Sequence, residues 1–271
     1  MSSQAYLLAD QPSELERLQL QSRVWEPSGR RLLGEIGEGP GLRVLDVGCG
    51  AIGWLRLLSE WVGPTGEVVG LDIDDAMLAA ARQFVDTEAL GNVVLIKDDL
   101  FASKLKSSSF DLVHARFQIA PLGRGPEQMS THVRLLRRGG IVVLEEWDLS
   151  PWHLNPPAPA LERLIDLIGN AFVGAGGEID AGRRLFELLS SVGIDGNVRA
   201  EVVALPPGHP YLRVPLQFAT ALEQRLLSLV TADELEQLRK DGEAELKEPG
   251  RWGTTFMLLQ CWGQAPHSGR G

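Results

Sequence analysis

Between residues 42 and 148 this chain switches five times between a short apolar run and a stretch with helical spacing. Leu42 to Val47, Val68 to Leu71, Val93 to Ile96, Phe110 to His114 and Ile141 to Trp147 read as strands. Trp54, Leu55, Leu57, Leu58, Trp61 and Val62 fall at helical spacing between the first two, and Met77 to Phe84 and Glu127 to Leu136 do the same later. Runs that are apolar on both faces suit a parallel sheet covered on both sides, and the intervening helices supply the crossovers that parallel strands need. The expected fold is therefore α/β, a Rossmann-like doubly wound sheet. At 271 residues, with 44% apolar and 23% charged residues, the chain can bury a core without disulfides or metals. Cys49 and Cys261 are the only cysteines, too few for a disulfide framework or a cysteine zinc site, and no metal is expected.

The flanks differ from this centre. Leu15, Leu18, Leu20, Leu32, Leu33 and Ile36 give the first forty residues a helical pattern that Gly37 to Gly41 ends, so residues 1–40 read as a helical cap on a domain spanning 41–271. After residue 148, Pro151, Pro156, Pro157 and Pro159 interrupt the rhythm. Helices are then expected around Leu161 to Phe172, Leu185 to Val192, Leu212 to Leu229 and Ala232 to Leu246, with strands at Val198 to Leu205 and Thr254 to Trp262. Residues 149–180 and 206–250 read as insertions. Both leave strands at the carboxyl end, where open α/β sheets bind ligands, and so are placed to roof a pocket.

Charge narrows the partners. With 26 basic and 36 acidic residues the net charge is −10, which disfavours a nucleic-acid binder. The one tight basic group, Arg134, Arg137 and Arg138, reads as a solvated helix end. Asp10, Glu14 and Glu16 near the start argue against a signal peptide, and no apolar run approaches the ~20 residues that cross a bilayer. A reducing cytoplasm, a small-molecule substrate and a monomer or homodimer are the expectations.

Gly48-Cys49-Gly50-Ala51-Ile52-Gly53 spells G-x-G-x-x-G between a strand and a helix, and Asp72 follows nineteen residues later at the end of the next strand. On spacing alone this satisfies a dinucleotide fingerprint. Asp46 separates the candidates. A carboxylate at the mouth of the loop would repel each pyrophosphate charge by about 4 kcal/mol at ~4 Å and an effective dielectric of ~20. The ammonium and sulfonium of S-adenosylmethionine would be attracted instead. Asp98-Asp99 closes the third strand, where a carboxylate can accept from an adenine amine. Three acidic stations on successive strand ends suit a cationic nucleoside.

These residues carry a family resemblance. Val44-Leu45-Asp46-Val47-Gly48-Cys49-Gly50 resembles the first motif of class I S-adenosylmethionine-dependent methyltransferases of the small-molecule type, and Val69-Gly70-Leu71-Asp72-Ile73-Asp74 the second. Lys97-Asp98-Asp99-Leu100 is similar to the third, with Asp98 where glycine is more usual. Phe110 to Arg116 and Leu136 to Ile141 resemble the fourth and fifth. The resemblance implies a seven-stranded sheet with an antiparallel last strand, S-adenosylmethionine as cofactor and S-adenosylhomocysteine as product. It implies that Asp46, Gly48 and Gly50 hold the methionyl end and that Asp72 takes the ribose hydroxyls. Ile73 and Leu100 would border the adenine, and Asp99 would accept from its amine. Arg116 and Phe117 would face donor and acceptor. Arg23, on the capping helix, would neutralise the methionyl carboxylate, and Tyr6 would help cap the pocket on the substrate side.

Methyl transfer from a sulfonium is an in-line displacement, in which alignment and exclusion of water matter most. A base is required only for an acceptor that arrives protonated and weakly acidic. His114, Glu146 and His153 are the candidates, followed by Glu145, Asp148 and His209, each at or beyond a strand end. Trp147 and Trp152, with Tyr211, Trp252 and Phe256, are candidates to line an apolar acceptor pocket. Oxygen is favoured over carbon or nitrogen as acceptor. Two other readings stay open: an enzyme that uses the bound sulfonium for a cyclisation or elimination without transferring methyl, and a nicotinamide-dependent oxidoreductase.

Overall fold

The structure, a computed structural model, describes residues 12–266. A long helix, α1 (Pro12–Ile36), precedes the alternation β1 (Arg43–Val47), α2 (Leu55–Val62), β2 (Glu67–Asp72), α3 (Asp75–Thr87), β3 (Val93–Lys97) and β4 (Phe110–Arg116). There follow α4 (Ile119–Leu122), α5 (Gly125–Leu135), β5 (Leu136–Asp148), β6 (Leu154–Asn155), α6 (Pro159–Gly174) and α7 (Ala181–Ser191). The chain then forms β7 (Gly196–Glu201), β8 (Ala204–Leu205), α8 (Val214–Ala221), α9 (Glu223–Leu226), α10 (Ala232–Leu246), β9 (Trp252–Thr254) and β10 (Met257–Gln264).

Seven strands form one sheet in the order β3-β2-β1-β4-β5-β10-β7. β1 to β5 run parallel, and β10 is antiparallel to both β5 and β7. This is the α/β Rossmann-like sheet with an antiparallel last strand. The chain winds outward from β1 to β3 and then crosses back to β4. The reversal leaves a crevice at the carboxyl ends of β1 and β4, the place where such sheets bind ligands. On one face, Val44, Leu112 and Val143 pack against Leu32, Trp54, Leu55 and Leu58 of the α1–α2 layer. On the other, Leu45, Val113, Val142 and Leu144 meet a larger core from α5, α6 and α7.

The segments expected as a sixth and a last strand are each divided. Val198 to Leu205 splits into β7 and β8, and Thr254 to Trp262 into β9 and β10. The far pieces leave the main sheet and pair with β6 in a small antiparallel sheet, β6-β9-β8. Residues 149–180 are thus tied by this sheet to the strands that flank residues 206–250. Glu245 on α10 accepts from the first N–H groups of α6, at Ala160 (2.9 Å) and Leu161 (3.0 Å). Arg251, 2% exposed, donates to the carbonyls of Glu245 and Pro157, both 2.9 Å away. Buried donors and acceptors of this kind must be paired, and here the pairs fasten one insertion to the other. The basic trio also differs from expectation. Arg134 lies in the last turn of α5, but Arg137 and Arg138 begin β5, and Arg137 is paired with Asp111. No helix among the described residues is long and apolar enough to cross a membrane.

Candidate functional site

A cavity of about 730 Å³ opens at the crevice between β1 and β4. Its floor is the glycine loop, tied to the end of β2 by Cys49 N–H to the Leu71 carbonyl (2.9 Å) and Gly50 N–H to the Asp72 carboxylate (2.8 Å). Gly53 has φ of 45°, and a Cβ there would sit 2.6 Å from an Asp46 oxygen and 2.5 Å from the Cys49 carbonyl oxygen. The third glycine of the motif is therefore a packing requirement. A Cβ on Gly48 would strike Gln118 at 2.2 Å. Gln118 covers the loop from above, a role that only its position just beyond the fourth motif could have suggested.

Asp72, Asp99, Ile73, Leu100 and Met77 line the adjoining wall. Asp72 also accepts from Asp74 N–H (2.9 Å), and burial raises its carboxyl above the ordinary range despite these bonds. Asp99 accepts from Phe101 N–H (2.9 Å). Asp98 is used up by its turn, accepting from Asp99 N–H (2.9 Å), Ser103 Oγ (2.9 Å) and Lys104 N–H (3.0 Å). That local demand explains a carboxylate where the resembling motif has glycine. Ile73 is 38% exposed, an apolar side chain presented to the cavity beside two acids. Carboxylates at two strand ends, an apolar wall and backbone at a glycine loop fit an adenosyl group, and the volume lies within the range of small-molecule sites.

Asp46 sits differently from the expectation of a carboxylate exposed at the loop mouth. It lies beneath the loop, 2% exposed, accepting from Trp54 N–H (3.0 Å) and bonded to His114 Nδ1 (2.7 Å). It still borders the cavity, with its two carboxylate oxygens engaged by Trp54 and His114. Cys49, buried beside Asp46 and Asp72, has its thiol pushed well up by burial and by both carboxylates, and stays protonated.

The base candidates separate. His114 is fully buried with both ring nitrogens engaged, the second by Glu145 (3.1 Å). Glu146 points to the other face of β5 and accepts from Ile119 N–H (2.5 Å). Burial pushes its carboxyl up to about 8 against the pull of that bond. His153 is exposed and borders a different cavity of about 520 Å³ that shares no lining residue with the first. Asp148 is paired with Arg183 (2.5 Å), and His209 Nδ1 accepts from Tyr211 N–H (3.1 Å).

Arg116 lines the cofactor-sized cavity and also a neighbouring one of about 460 Å³, where Arg23 lies with Glu26 and Arg56. Phe117 borders the large cavity in a left-handed conformation, φ 56°. Its ring stacks on Trp147 (5.8 Å) and meets Phe256 edge-on (5.6 Å). Trp147 and Trp152 are 5% and 3% exposed and pack around Phe256 in the aromatic core behind Phe117; neither lines the large cavity, and Trp152 borders the one of about 520 Å³ beside His153. Tyr6 lies outside the described residues. Gln21 of α1, Phe101, Leu122 and Arg124, which the sequence did not single out, and Leu18, which it gave only as part of a helical pattern, line the cavity together with Asp46, Asp98 and His114. Leu18 and Gln21 are three apart on one helical face, a spacing legible only once α1 is known to cross this crevice.

A family model described as a methyltransferase domain matches residues 38–171. Demethylmenaquinone methyltransferase of Staphylococcus aureus (strain JH9) is 33% identical over 126 residues, 46% of this chain and 50% of that protein. The chain spans about half the length of the curated relatives it matches. A SAM-dependent methyltransferase from Aquifex aeolicus aligns with a TM-score of 0.54 and 23% identity over 71% of this chain and 92% of its own. Phosphoethanolamine N-methyltransferase 2 of Haemonchus contortus, solved with S-adenosylhomocysteine and phosphomonomethylethanolamine, aligns with a TM-score of 0.58 and 17% identity over 98% of this chain and 60% of its own. At these identities the structural likeness speaks for the fold. The sequence match, the sheet order and the glycine loop coincide on the same residues, so residues 38–171 carry a methyltransferase domain of the class I, S-adenosylmethionine-dependent kind.

Proposed function

We propose that the chain transfers a methyl group from S-adenosylmethionine to a small organic acceptor. The observation that carries this reading is the cavity at the β1–β4 crevice, where the glycine loop, Asp72, Asp99 and the bare face of Ile73 converge. In that reading the backbone of Gly48 and Gly50 bounds the methionyl end, Asp72 takes the ribose hydroxyls, and Asp99 accepts from the adenine amine. The bound cofactor supplies an electrophilic methyl group on a sulfonium. Arg116 and Phe117 stand where donor and acceptor sides meet, and Phe117 screens the aromatic core from the cavity.

His114 has no free nitrogen to take a proton, Glu146 is protonated at neutral pH, and His153 borders another cavity. The chemistry proposed is therefore alignment with exclusion of water, which suits an acceptor that arrives ionised or strongly polarised. Oxygen remains the favoured acceptor atom. Residues 1–40 serve as a cap and the insertions 149–180 and 206–250 as a roof in this reading. The enzyme is a cytoplasmic monomer or homodimer without a nucleic-acid partner. The relatives are named for demethylmenaquinone, and that compound belongs in the first acceptor panel beside phenols and small carboxylates.

The test incubates the full chain with S-adenosylmethionine and such a panel and follows products by mass spectrometry. S-adenosylhomocysteine appearing in step with a product 14 mass units heavier than one acceptor supports the reading. A transformed acceptor with no S-adenosylhomocysteine would replace it with the non-transferring alternative.

A further inference from the structure

Three strands change character at the same level of the sheet. On the face toward α2, Val44 gives way to Asp46 on β1, Leu112 to His114 on β4, and Val143 to Glu145 on β5. The register sets Asp46 beside His114 and Gln260 of β10 beside Glu145. The result is a buried chain of contacts across four strands. Trp54 N–H donates to Asp46 (3.0 Å), Asp46 meets His114 Nδ1 (2.7 Å), His114 Nε2 meets Glu145 (3.1 Å), and Glu145 accepts from Gln260 Nε2 (2.6 Å). Asp46, His114, Glu145 and Gln260 are all 2% exposed or less, and the Trp54 ring stacks on the imidazole at 4.0 Å.

We propose that His114 is a positioning residue whose imidazolium form, held between Asp46 and Glu145, keeps the glycine loop in its binding shape and makes adenosyl-ligand affinity depend on the charge of one buried ring. This rests on the reading of the cavity as an S-adenosylmethionine site. A neutral imidazole carries one N–H and one lone pair. Between two carboxylates, the lone pair of the neutral ring would face a negative oxygen, whereas the imidazolium satisfies both. The stake for the loop is direct, because one Asp46 oxygen bonds His114 while the other holds Trp54 N–H and lies under Gly53. An Asp46 that moves must move the turn into α2.

The groups facing the ring are Asp46 from β1, Glu145 from β5 and the Trp54 indole before α2, with neutral Gln260 behind Glu145, and His132 of α5 feels its charge through space. Burial favours the neutral ring, but the two carboxylates outweigh it and hold the His114 value above its ordinary 6.5. His132 is driven the other way, down to about 4, by burial and by the charge on His114, so it stays neutral throughout. With a raised folded value, the His114 contribution is complete below about 6.5 and is lost as pH rises through the folded value.

The experiment is calorimetric titration of the full chain with S-adenosylhomocysteine at several pH values from 6 to 9.5, using wild type, H114N and E146Q. The ligand amine titrates alike in all three, so ratios between proteins cancel it. Wild type is expected to bind about tenfold more tightly than H114N at pH 6.5, as for loss of a charge-assisted buried bond, with the ratio shrinking toward one in alkali. E146Q, which removes a second buried group that titrates in that range, is expected to keep the wild-type profile. A wild-type to H114N ratio that does not change with pH overturns the proposal, as does an E146Q profile that has gone flat. If H114N does not fold, NMR of isotope-labelled histidine in the wild-type protein decides. A buried imidazolium at pH 7 that deprotonates in step with the fall in affinity supports the proposal, and a neutral ring at pH 7 overturns it. Absence of binding by wild type at every pH would instead remove the cofactor reading on which the proposal stands.

Discussion

The two sides of the crevice are built from different materials. On the β1–β3 side the surfaces offered to a ligand are backbone at a glycine loop and short acids at strand ends, each fixed by main-chain bonds such as Gly50 N–H to Asp72 and Phe101 N–H to Asp99. On the β5 side the cavity meets Phe117, which is backed by an aromatic cluster. In it the rings of Phe117, Trp147, Trp152, Trp25 and Tyr211 stand 5.3–6.4 Å from Phe256 and are held mainly by packing. The first kind of surface tolerates almost no change of shape, because a backbone position cannot be relieved by turning a side chain. The second can adjust by repacking, which suits the side of an enzyme that has to meet its particular substrate.

That contrast can be broken most severely at Gly53. Gly53→Ala places a Cβ against the Asp46 carboxylate and the Cys49 carbonyl in a backbone conformation that only glycine adopts freely. Affinity for S-adenosylhomocysteine should fall by up to roughly a hundredfold, the scale of overpacking against fixed backbone. Unchanged affinity would mean that the loop yields as easily as the aromatic side.

Glu146 offers a test of intermediate size. Burial raises its carboxyl from 4.5 to about 8, so the folded state holds a proton that the unfolded chain releases. Its contribution is greatest in acid and is lost as pH rises from about 4.5 to 8. Glu146→Gln keeps an oxygen for Ile119 N–H and removes the titration. Its stability advantage over wild type should be small at pH 5 and grow to the order of 1–3 kcal/mol at pH 8, read by denaturant unfolding. Parallel pH profiles for the two proteins would refute the assignment.

Phe117→Ala should separate the two sides kinetically. It removes the ring between cavity and aromatic core, so the KM for the acceptor should rise by about tenfold, as for a lost aromatic contact, while the Kd for S-adenosylhomocysteine changes less than about threefold. Equal changes in both would mean that Phe117 does not separate the acceptor side from the cofactor side. The smallest effect is expected at His153, where His153→Ala should leave cofactor affinity within about twofold, because an exposed side chain at a separate cavity contributes nothing to the loop.

The sequence was legible where chemistry is periodic and local. Apolar runs bounded by glycine gave all five parallel strands, with ends shifted by a few residues. The spacing from Gly48 to Asp72 placed the loop and its acidic partner, because both follow from one strand–turn–helix unit. The burial of Asp46 was not legible, since its partner His114 is 68 residues away and the pair exists only through the β1–β4 register. Val198 to Leu205 and Thr254 to Trp262 looked continuous because periodicity cannot show where a strand leaves one sheet for another. Trp147 was assigned to a pocket wall for a similar reason, whereas Trp152 does border a cavity, the one beside His153. An aromatic residue at a strand end reads the same whether it faces a ligand or Phe256. Gln118 carried no motif at all, and only its distance from Gly48 identifies it.

Calorimetric titration of the full chain with S-adenosylmethionine, S-adenosylhomocysteine and NAD, after removal of any co-purified ligand, reaches the assignment on which everything else depends. Micromolar binding of both adenosyl compounds with no heat from NAD is expected of a loop backed by Asp46 and flanked by Asp72 and Asp99. Binding of NAD without either adenosyl compound would contradict it and return the glycine loop to a dinucleotide.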